Sequence, residues 1–97
     1  MFARLYQFSV NPTRINELEK LADAANETLK EQKGFRSVSF YVDRATGECG
    51  SFSLWDARED VDAYMSADFP QLKEVATDLF AGPSKSTVFE IYEPSGS

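Results

Sequence analysis

The chain has 97 residues, of which 42% are hydrophobic and 13% aromatic, which suits one globular domain with a single core. Its net charge is −6 at pH 7 and its ten lysines and arginines form no cluster, which argues against nucleic acid or an anionic membrane as a partner. The sequence contains no histidine, so histidine-bearing zinc sites, Ser-His-Asp triads and Cys-His pairs are excluded.

The single cysteine and the absence of long apolar runs bear on the cellular compartment. Cys49 has no partner for an internal disulfide, and no apolar run reaches the length of a membrane span or a signal peptide. We therefore expect a cytoplasmic protein with one domain over residues 1–97 and no metal site. Cys49 is expected to be a small strand residue, since no histidine is present to depress its pKa.

The first strand and the first helix occupy the N-terminal third of the chain. Residues 2–10 predict a strand with apolar side chains on both parities. Asn11 is a good N-cap and Pro12 suits the first turn, so a helix is expected to begin there. We expect Gly34 to end this helix as a left-handed cap. One face of the helix is marked by apolar residues at helical spacing, namely Ile15, Leu18, Leu21, Ala22, Ala25 and Leu29.

A hairpin follows the first helix. Residues 35–43 and 48–55 have the composition of strands, and the short turn between them ends at Gly47. This pattern predicts two antiparallel strands joined by a tight connection.

Two further helices and a last strand complete the chain. Asp56 and Glu59 have the spacing of a capping box, which predicts a helix over residues 57–66 that Asp56 caps. Apolar residues at helical spacing predict another helix over residues 72–80, and residues 85–92 read as a strand.

The element order β-α-β-β-α-α-β predicts an α+β, ferredoxin-like fold, with helices on one face of a four-stranded antiparallel sheet. Several strands carry aromatic side chains on both parities, such as Phe40 beside Tyr41 and Phe89 near Tyr92. A sheet with one wet face alternates more cleanly between apolar and polar residues. We therefore expect a homodimer in which a second copy covers the other sheet face.

Five segments together carry a resemblance to a known family: residues 33–35, 53–55, 56–64, 67–69 and 88–92. On these segments the chain resembles the antibiotic biosynthesis monooxygenase family, whose members form dimeric α/β barrels. The family includes quinone-forming monooxygenases that use neither metal nor flavin, haem-degrading enzymes, enzymes that process small signalling molecules, and members without an assigned activity. The resemblance therefore implies a dimeric barrel and no cofactor.

The match to the quinone-forming members is partial. Trp55 matches a tryptophan that lines their pocket, whereas Ser51 stands where they have an asparagine. Val61 stands where they have a tyrosine, although Tyr64 follows one turn later. The haem-binding histidine of the haem-degrading members falls near Glu74, so haem degradation is not expected.

Ser51, Ser53 and Trp55 share one strand parity, so their side chains point to the same sheet face. A tryptophan beside two small hydroxyl residues suits a flat ligand with a polar edge. We expect a cavity there, between sheet and helices. The predicted site consists of Trp55 as the catalytic residue and of Tyr6, Ser51, Ser53, Tyr64 and Phe69 as substrate-binding residues.

Two functions follow, from different classes. The first is a cofactor-independent monooxygenase acting on a small aromatic substrate of phenol, anthrone or hydroquinone type. The alternative is a non-enzymatic, small-molecule-binding dimeric barrel in which Trp55 is a core residue. An open cavity with a polar contact beside Trp55 favours the enzyme, and a cavity filled by Trp55, Tyr6 and Phe69 themselves favours the alternative.

Overall fold

The computed structural model describes residues 1–95 and confirms the α+β, ferredoxin-like fold. The four strands form one sheet in the order β2-β3-β1-β4, and all neighbouring strands are antiparallel. No described helix is both long enough and apolar enough to cross a membrane. The elements are β1 (Phe2–Ser9), α1 (Ile15–Lys30), β2 (Phe35–Val42), β3 (Glu48–Trp55), α2 (Arg58–Ala67), α3 (Phe69–Ala76) and β4 (Lys85–Glu90).

The predicted N-cap residue, Asn11, caps the 3-10 turn that leads into α1 rather than α1 itself, and the end of α1 also differs from the prediction. The Asn11 side chain accepts a hydrogen bond from the Thr13 backbone N–H at 3.0 Å, and a 3-10 turn over Pro12–Arg14 leads into α1. The helix ends at Lys30, because backbone N–H groups of the next residues and the Gln32 side chain already satisfy its last carbonyls. The predicted cap at Gly34 is therefore wrong.

Gly34 has a different task. Its φ is +78°, and it lies in the turn that leads into β2. Its carbonyl accepts a hydrogen bond from the Asp56 backbone N–H at 2.8 Å. Gly34 thus ties the start of β2 to the end of β3 with a backbone conformation that favours glycine.

The hairpin between β2 and β3 agrees with the prediction. Gly47 has a φ of +83°, and its N–H donates to the Asp43 carbonyl at 2.8 Å. The Asp43 side chain also accepts from the Ala45 N–H at 2.9 Å. These bonds close the turn that the sequence placed there.

The predicted capping box of α2 is wrong. Ala57 occupies the N-cap position in an extended conformation, and no side chain caps the helix. Asp56 directly follows the end of β3, and its carboxylate accepts a hydrogen bond from Arg36 of the adjacent strand β2. The Asp56 side chain, which was predicted to cap α2, is therefore engaged in an ion pair with Arg36 instead.

The bounds of the C-terminal elements differ from the prediction. The expected helix over residues 72–80 begins earlier, at Phe69, and its last turn is a 3-10 turn over Thr77–Leu79. The last strand, expected over residues 85–92, ends at Glu90. Boundaries of this kind depend on which hydrogen bonds the sheet offers, which a single-sequence pattern does not contain.

The two faces of the sheet differ in their cover. The helices pack on the face that carries Arg4, Tyr6 and Trp55. The opposite face exposes large aromatic side chains: Tyr41, Phe52 and Phe89 are 42%, 39% and 46% exposed.

The core beneath the helices has two separate clusters. The Trp55 cluster consists of Leu29, Trp55, Val61 and Tyr64. The Cys49 cluster, at the other end of the sheet, consists of Val10, Ile15, Cys49 and Leu79. The middle of β1 lies between these clusters, and it carries the residues of the candidate site.

Candidate functional site

The centre of the site is the pairing of β1 with β3. The register places Arg4 opposite Ser53 and Tyr6 opposite Ser51, so these four side chains share the face that the helices cover. Phe69 at the start of α3 packs over Tyr6 with 5.0 Å between ring centroids. The fold thus gathers strand hydroxyls, one cation and aromatic rings on one side of the sheet.

Trp55 is part of a filled region. It is completely buried, and its indole N–H donates to the Ser53 hydroxyl at 2.9 Å. Its ring lies 5.4 Å from that of Tyr64 and 5.5 Å from that of Phe35. Trp55 thus contacts both Ser53 and Tyr64, and none of these three residues is among those that line the cavity described next.

A cavity of about 80 Å³ lies between the sheet and helices α1 and α3. Three predicted site residues line it, namely Tyr6, Ser51 and Phe69. Leu21 and Leu72 belong to its apolar walls, which the helices supply. Tyr6 and Ser51 line this mostly apolar space from the sheet side.

Arg4 also lines this cavity, and the sequence analysis did not single it out. Its side chain is only 3% exposed, and its Nε donates to the Ser86 hydroxyl at 3.0 Å. The signal was present in the sequence, because Arg4 is a charged residue on the parity that carries Phe2 and Tyr6. Charged residues are rarely buried unless they are paired, so this position on the strand is a candidate for function.

Aromatic rings surround the Arg4 guanidinium. Its central carbon lies 4.1 Å from the ring centroid of Phe69, 4.8 Å from that of Tyr6 and 5.9 Å from that of Tyr64. These distances are those of cation–π contacts. The guanidinium is therefore held in place by rings, with one hydroxyl as its hydrogen-bond partner.

Two buried polar atoms at this point have no hydrogen-bond partner among the described residues: Nη2 of Arg4 and the hydroxyl of Tyr6. Burial raises the pKa of Tyr6, while the nearby Ser84 hydroxyl and the Arg4 charge oppose that rise. The Ser84 hydroxyl lies close to Tyr6 but outside hydrogen-bonding geometry. Buried polar groups are normally paired, so this pair of atoms is unusual.

The tyrosines of the site hold their protons near neutral pH. Burial raises the pKa of Tyr64 to about 12, with the Arg4 charge acting in the opposite direction. Burial also lowers the pKa of Arg4, although an arginine stays charged under these conditions. Tyr6 and Tyr64 are thus hydrogen-bond donors rather than bases.

Cys49 is buried in the core, as expected. It is 2% exposed, and burial raises the pKa of its thiol to about 11. A thiol of this kind is protonated at neutral pH and is not a nucleophile. Within residues 1–95, no three Cys, Asp or Glu side chains lie close enough together to hold a metal ion.

A larger cleft adjoins the cavity. It has a volume of about 290 Å³ and lies between α1 and β2. Phe8, Leu18, Ala22 and Phe40 line both spaces, so the two are neighbours separated by apolar side chains. The cleft offers room for a second part of a larger ligand.

These features define a ferredoxin-like α+β protein with an aromatic-lined cavity between its sheet and its helices. The sequence profile of the antibiotic biosynthesis monooxygenase family matches residues 1–74. The chain belongs to this family, which confirms the resemblance on which the sequence analysis drew.

Solved structures share the fold over nearly the whole chain. The monooxygenase ActVA-Orf6 of Streptomyces coelicolor, in complex with nanaomycin D, is 22% identical, with a TM-score of 0.78 over 97% of this chain and 92% of that one. SnoaB, a cofactor-independent oxygenase from Streptomyces nogalater, is 14% identical, with a TM-score of 0.80 over 99% and 97% of the two chains. Rv0793 from Mycobacterium tuberculosis is 22% identical, with a TM-score of 0.78 over 98% of each chain. No curated protein matches the sequence.

Proposed function

We propose that this protein is a cofactor-independent monooxygenase that oxidises a small aromatic substrate of phenol, hydroquinone or anthrone type. The observation that carries the proposal is the mostly apolar cavity that Arg4, Tyr6 and Ser51 line from the sheet side. Membership of the family and the oxygenases among proteins of the same fold support it. An apolar space with a few convergent polar groups is the usual form of a small-molecule site.

The reaction needs only the substrate and dioxygen. The bound phenol or anthrone loses a proton and passes one electron to O₂, which gives a substrate radical and superoxide. Their combination forms a carbon–oxygen bond, and the peroxide then loses water to leave a carbonyl. One oxygen atom enters the product, and the other leaves as water with the two hydrogens that the substrate loses.

The protein's part is to favour the substrate anion and to exclude water. In this proposal Tyr6 and Ser51, which line the cavity from the sheet side, donate hydrogen bonds to the developing oxyanion. The apolar walls, with Phe69 over Tyr6, keep the ring of the substrate dry. The substrate's own acidity replaces the general base that the absence of histidine removes.

The cavity volume favours a small substrate. About 80 Å³ is well below the roughly 300–1,000 Å³ of sites for drug-sized ligands. A phenol or hydroquinone with one ring fits this volume better than the three-ring anthrone type, which would also have to occupy the neighbouring cleft.

Trp55, Ser53 and Tyr64 remain predicted site residues. We propose that Trp55 acts through Tyr64, against which it packs, and keeps the end of α2 in position next to Arg4. The cytoplasmic location also remains a prediction.

Oxygen consumption in the presence of single-ring phenols and hydroquinones tests the proposal. We expect consumption that depends on the protein, with ¹⁸O from ¹⁸O₂ in the product. Ser51→Ala should lower the rate, whereas Ser66→Ala, which changes an exposed serine on α2, should not. Equal oxygen uptake with and without the protein, over a panel of such substrates, would overturn the proposal.

The non-enzymatic alternative is favoured by one observation, namely the filled region around Trp55, whose side chain is completely buried. A protein of this class would bind an aromatic ligand in the cavity without consuming oxygen. Tight binding of a phenol with no turnover would therefore select the alternative.

We also propose that two copies pair through the exposed sheet face. Tyr41, Phe52 and Phe89 lie there, 39–46% exposed, and monomeric proteins rarely leave such aromatic patches uncovered. Sedimentation should show twice the mass of one chain, 10.9 kDa. Phe52→Lys should shift the protein to monomers, and Val75→Lys, at an exposed position on α3, should leave the dimer intact.

A further inference from the structure

Arg4 differs from every other arginine in the chain. The four others form ion pairs with carboxylates at the surface, whereas Arg4 is 3% exposed and forms none with the described residues. The paired arginines are Arg14 with Glu17 and Asp78, Arg36 with Asp56, Arg44 with Glu19, and Arg58 with Asp62.

The lack of a counter-charge is notable in so acidic a protein. The chain has 16 aspartates and glutamates, yet the charged or polar groups that act on Arg4 are those of Tyr64, Tyr6 and Ser86. A buried cation without an anion is costly, and cation–π contacts offset only part of the cost. The free protein thus keeps an unbalanced positive charge beside its cavity.

The two unpartnered atoms belong to residues that line the same cavity. Arg4 and Tyr6 both line it, and Nη2 of Arg4 and the Tyr6 hydroxyl are buried without a hydrogen-bond partner among residues 1–95. The guanidinium carbon is 4.8 Å from the centroid of the Tyr6 ring. Unpartnered donors and a positive charge at one cavity suit an anionic oxygen.

We propose that Arg4 and Tyr6 bind the anionic oxygen of an aromatic ligand, so that a phenol occupies the cavity as its phenolate. This inference rests on the proposed function, because it gives the ionisation state of the same substrate class. The ring lies between the apolar walls that the helices provide, and the oxygen faces β1. Arg4 then supplies the anion stabilisation, which lowers the pKa of the bound phenol and makes a histidine base unnecessary.

The other titratable groups near this point do not replace Arg4. Tyr64 of α2 faces the guanidinium with a pKa that burial raises to about 12, so it stays neutral. Lys73 of α3 also lines the cavity and is mostly exposed. A charge on flexible, solvated Lys73 is screened by water, whereas the charge on Arg4 is not.

The test uses para-nitrophenol, whose phenol and phenolate forms have different absorption spectra. Titration of the probe bound to the full-length protein gives its ionisation in the site directly, without turnover. We expect the apparent pKa of the bound probe to fall by about 1 to 3 pH units, as it does for an acid beside an arginine. The neutral analogue para-nitroanisole measures binding that does not depend on the charge.

Two substitutions at Arg4 separate charge from shape. Arg4→Met should weaken binding of the phenolate by roughly 10- to 100-fold, the worth of a hydrogen bond to a charged group, and abolish the pKa shift. Arg4→Lys should keep much of the shift, because it keeps the charge. Arg58→Met, which removes an exposed arginine paired with Asp62, is the matched control and should change neither.

Thermal unfolding distinguishes this role from a structural one. Removing an unpaired buried charge is expected to leave the melting temperature of Arg4→Met unchanged or higher. A large fall in melting temperature, with equal losses of binding for the neutral and the charged probe, would overturn the inference. So would an unshifted pKa of the probe in the unsubstituted protein.

The outcomes for the two proposals are independent. A lowered pKa of the bound probe with no oxygen consumption on any phenol supports anion binding by Arg4 and removes the oxygenase. Oxygen consumption that Arg4→Met leaves unchanged, with no pKa shift, supports the oxygenase and removes the role of Arg4.

Discussion

The Trp55 cluster and the Arg4 cavity are neighbours on one sheet face, and they differ in how their polar groups are satisfied. In the Trp55 cluster the indole N–H is paired with Ser53, and the ring is completely buried. At the cavity, Arg4 and Tyr6 each have a buried polar atom without a partner among the described residues. The polar atom of the Trp55 ring is thus hydrogen-bonded in the free protein, whereas the two donors at the cavity are not.

The difference shows that a residue's prominence in the sequence is a poor guide to its role. The lone tryptophan attracted the functional prediction, but its packing is that of a core residue. The arginine on β1 attracted none, yet it has the charge and the open donor that ligand binding requires. Unsatisfied buried donors are a more direct sign of a site than a rare residue type.

Trp55→Ala should have the largest effect on stability. Removal of a completely buried tryptophan leaves a void and an unpaired Ser53, at a cost of about 3–5 kcal/mol. Urea denaturation measures the loss, with Tyr92→Ala, at a position 81% exposed, as the control. A stable Trp55→Ala protein that has lost oxygenase activity would instead make Trp55 a catalytic residue and reverse the comparison.

Gly34→Ala tests the same end of the sheet as Trp55, because the Gly34 carbonyl binds the backbone N–H of the neighbouring Asp56. The φ of +78° disfavours alanine by about 1–2 kcal/mol, and its Cβ would collide with the Asp60 side chain, which adds about 1–3 kcal/mol. Gly82→Ala is the matched control, since only the Ser9 hydroxyl, at 3.7 Å, would approach its Cβ. Equal denaturation midpoints for the two variants would show that the turn at Gly34 can relax.

Alkaline pH should destabilise the fold through Tyr64. Burial raises its pKa from 10.0 to about 12, so the unfolded chain loses this proton before the folded one does. The contribution is complete below pH 10 and is lost as the pH rises to about 12, at most about 3 kcal/mol. Cys49 adds a similar loss between pH 9 and about 11.

Urea midpoints measured over this pH range provide the check. Tyr64→Phe cannot ionise, so it should flatten the decline between pH 10 and 12, whereas Tyr92→Phe, at an exposed position, should not. An unchanged decline in Tyr64→Phe would mean that Tyr64 is more accessible to water than its burial indicates.

Arg44→Ala should have the smallest effect. Its ion pair with Glu19 spans 3.4 Å between side chains that are 64% and 55% exposed, and such pairs contribute about 0–1 kcal/mol. A loss in the free energy of unfolding above about 1 kcal/mol, measured by urea denaturation, would show that the paired surface arginines stabilise this fold more than exposed ion pairs usually do.

Much of the fold was readable from the sequence, because periodicity reports which faces are buried. The strand over Glu48–Trp55 was predicted to the residue, and the Asn11 cap and the Gly47 turn were predicted with their mechanisms. Gly34 and Asp56 were misassigned because each had a plausible local role. Contacts distant in sequence, from Arg36 to Asp56 and from Asp56 to Gly34, decided otherwise.

The candidate site was readable only in part. Ser51 and Trp55 share a parity, and the sequence therefore placed them on one face, but it could not show that only Ser51 lines the cavity. That difference depends on how α2 and α3 pack against the sheet. Phe69 covers Tyr6, whereas Tyr64 packs against Trp55.

The sequence by itself determined the element order, the two apolar sheet faces and the exclusion of histidine chemistry, since these follow from periodicity and composition. The tertiary structure alone decided that Arg4 is buried with no carboxylate partner among residues 1–95, while the other arginines are paired. The reason is physical: hydrophobic patterning is local along the chain, whereas the pairing of a charge depends on which distant side chains the packing brings within a few ångströms.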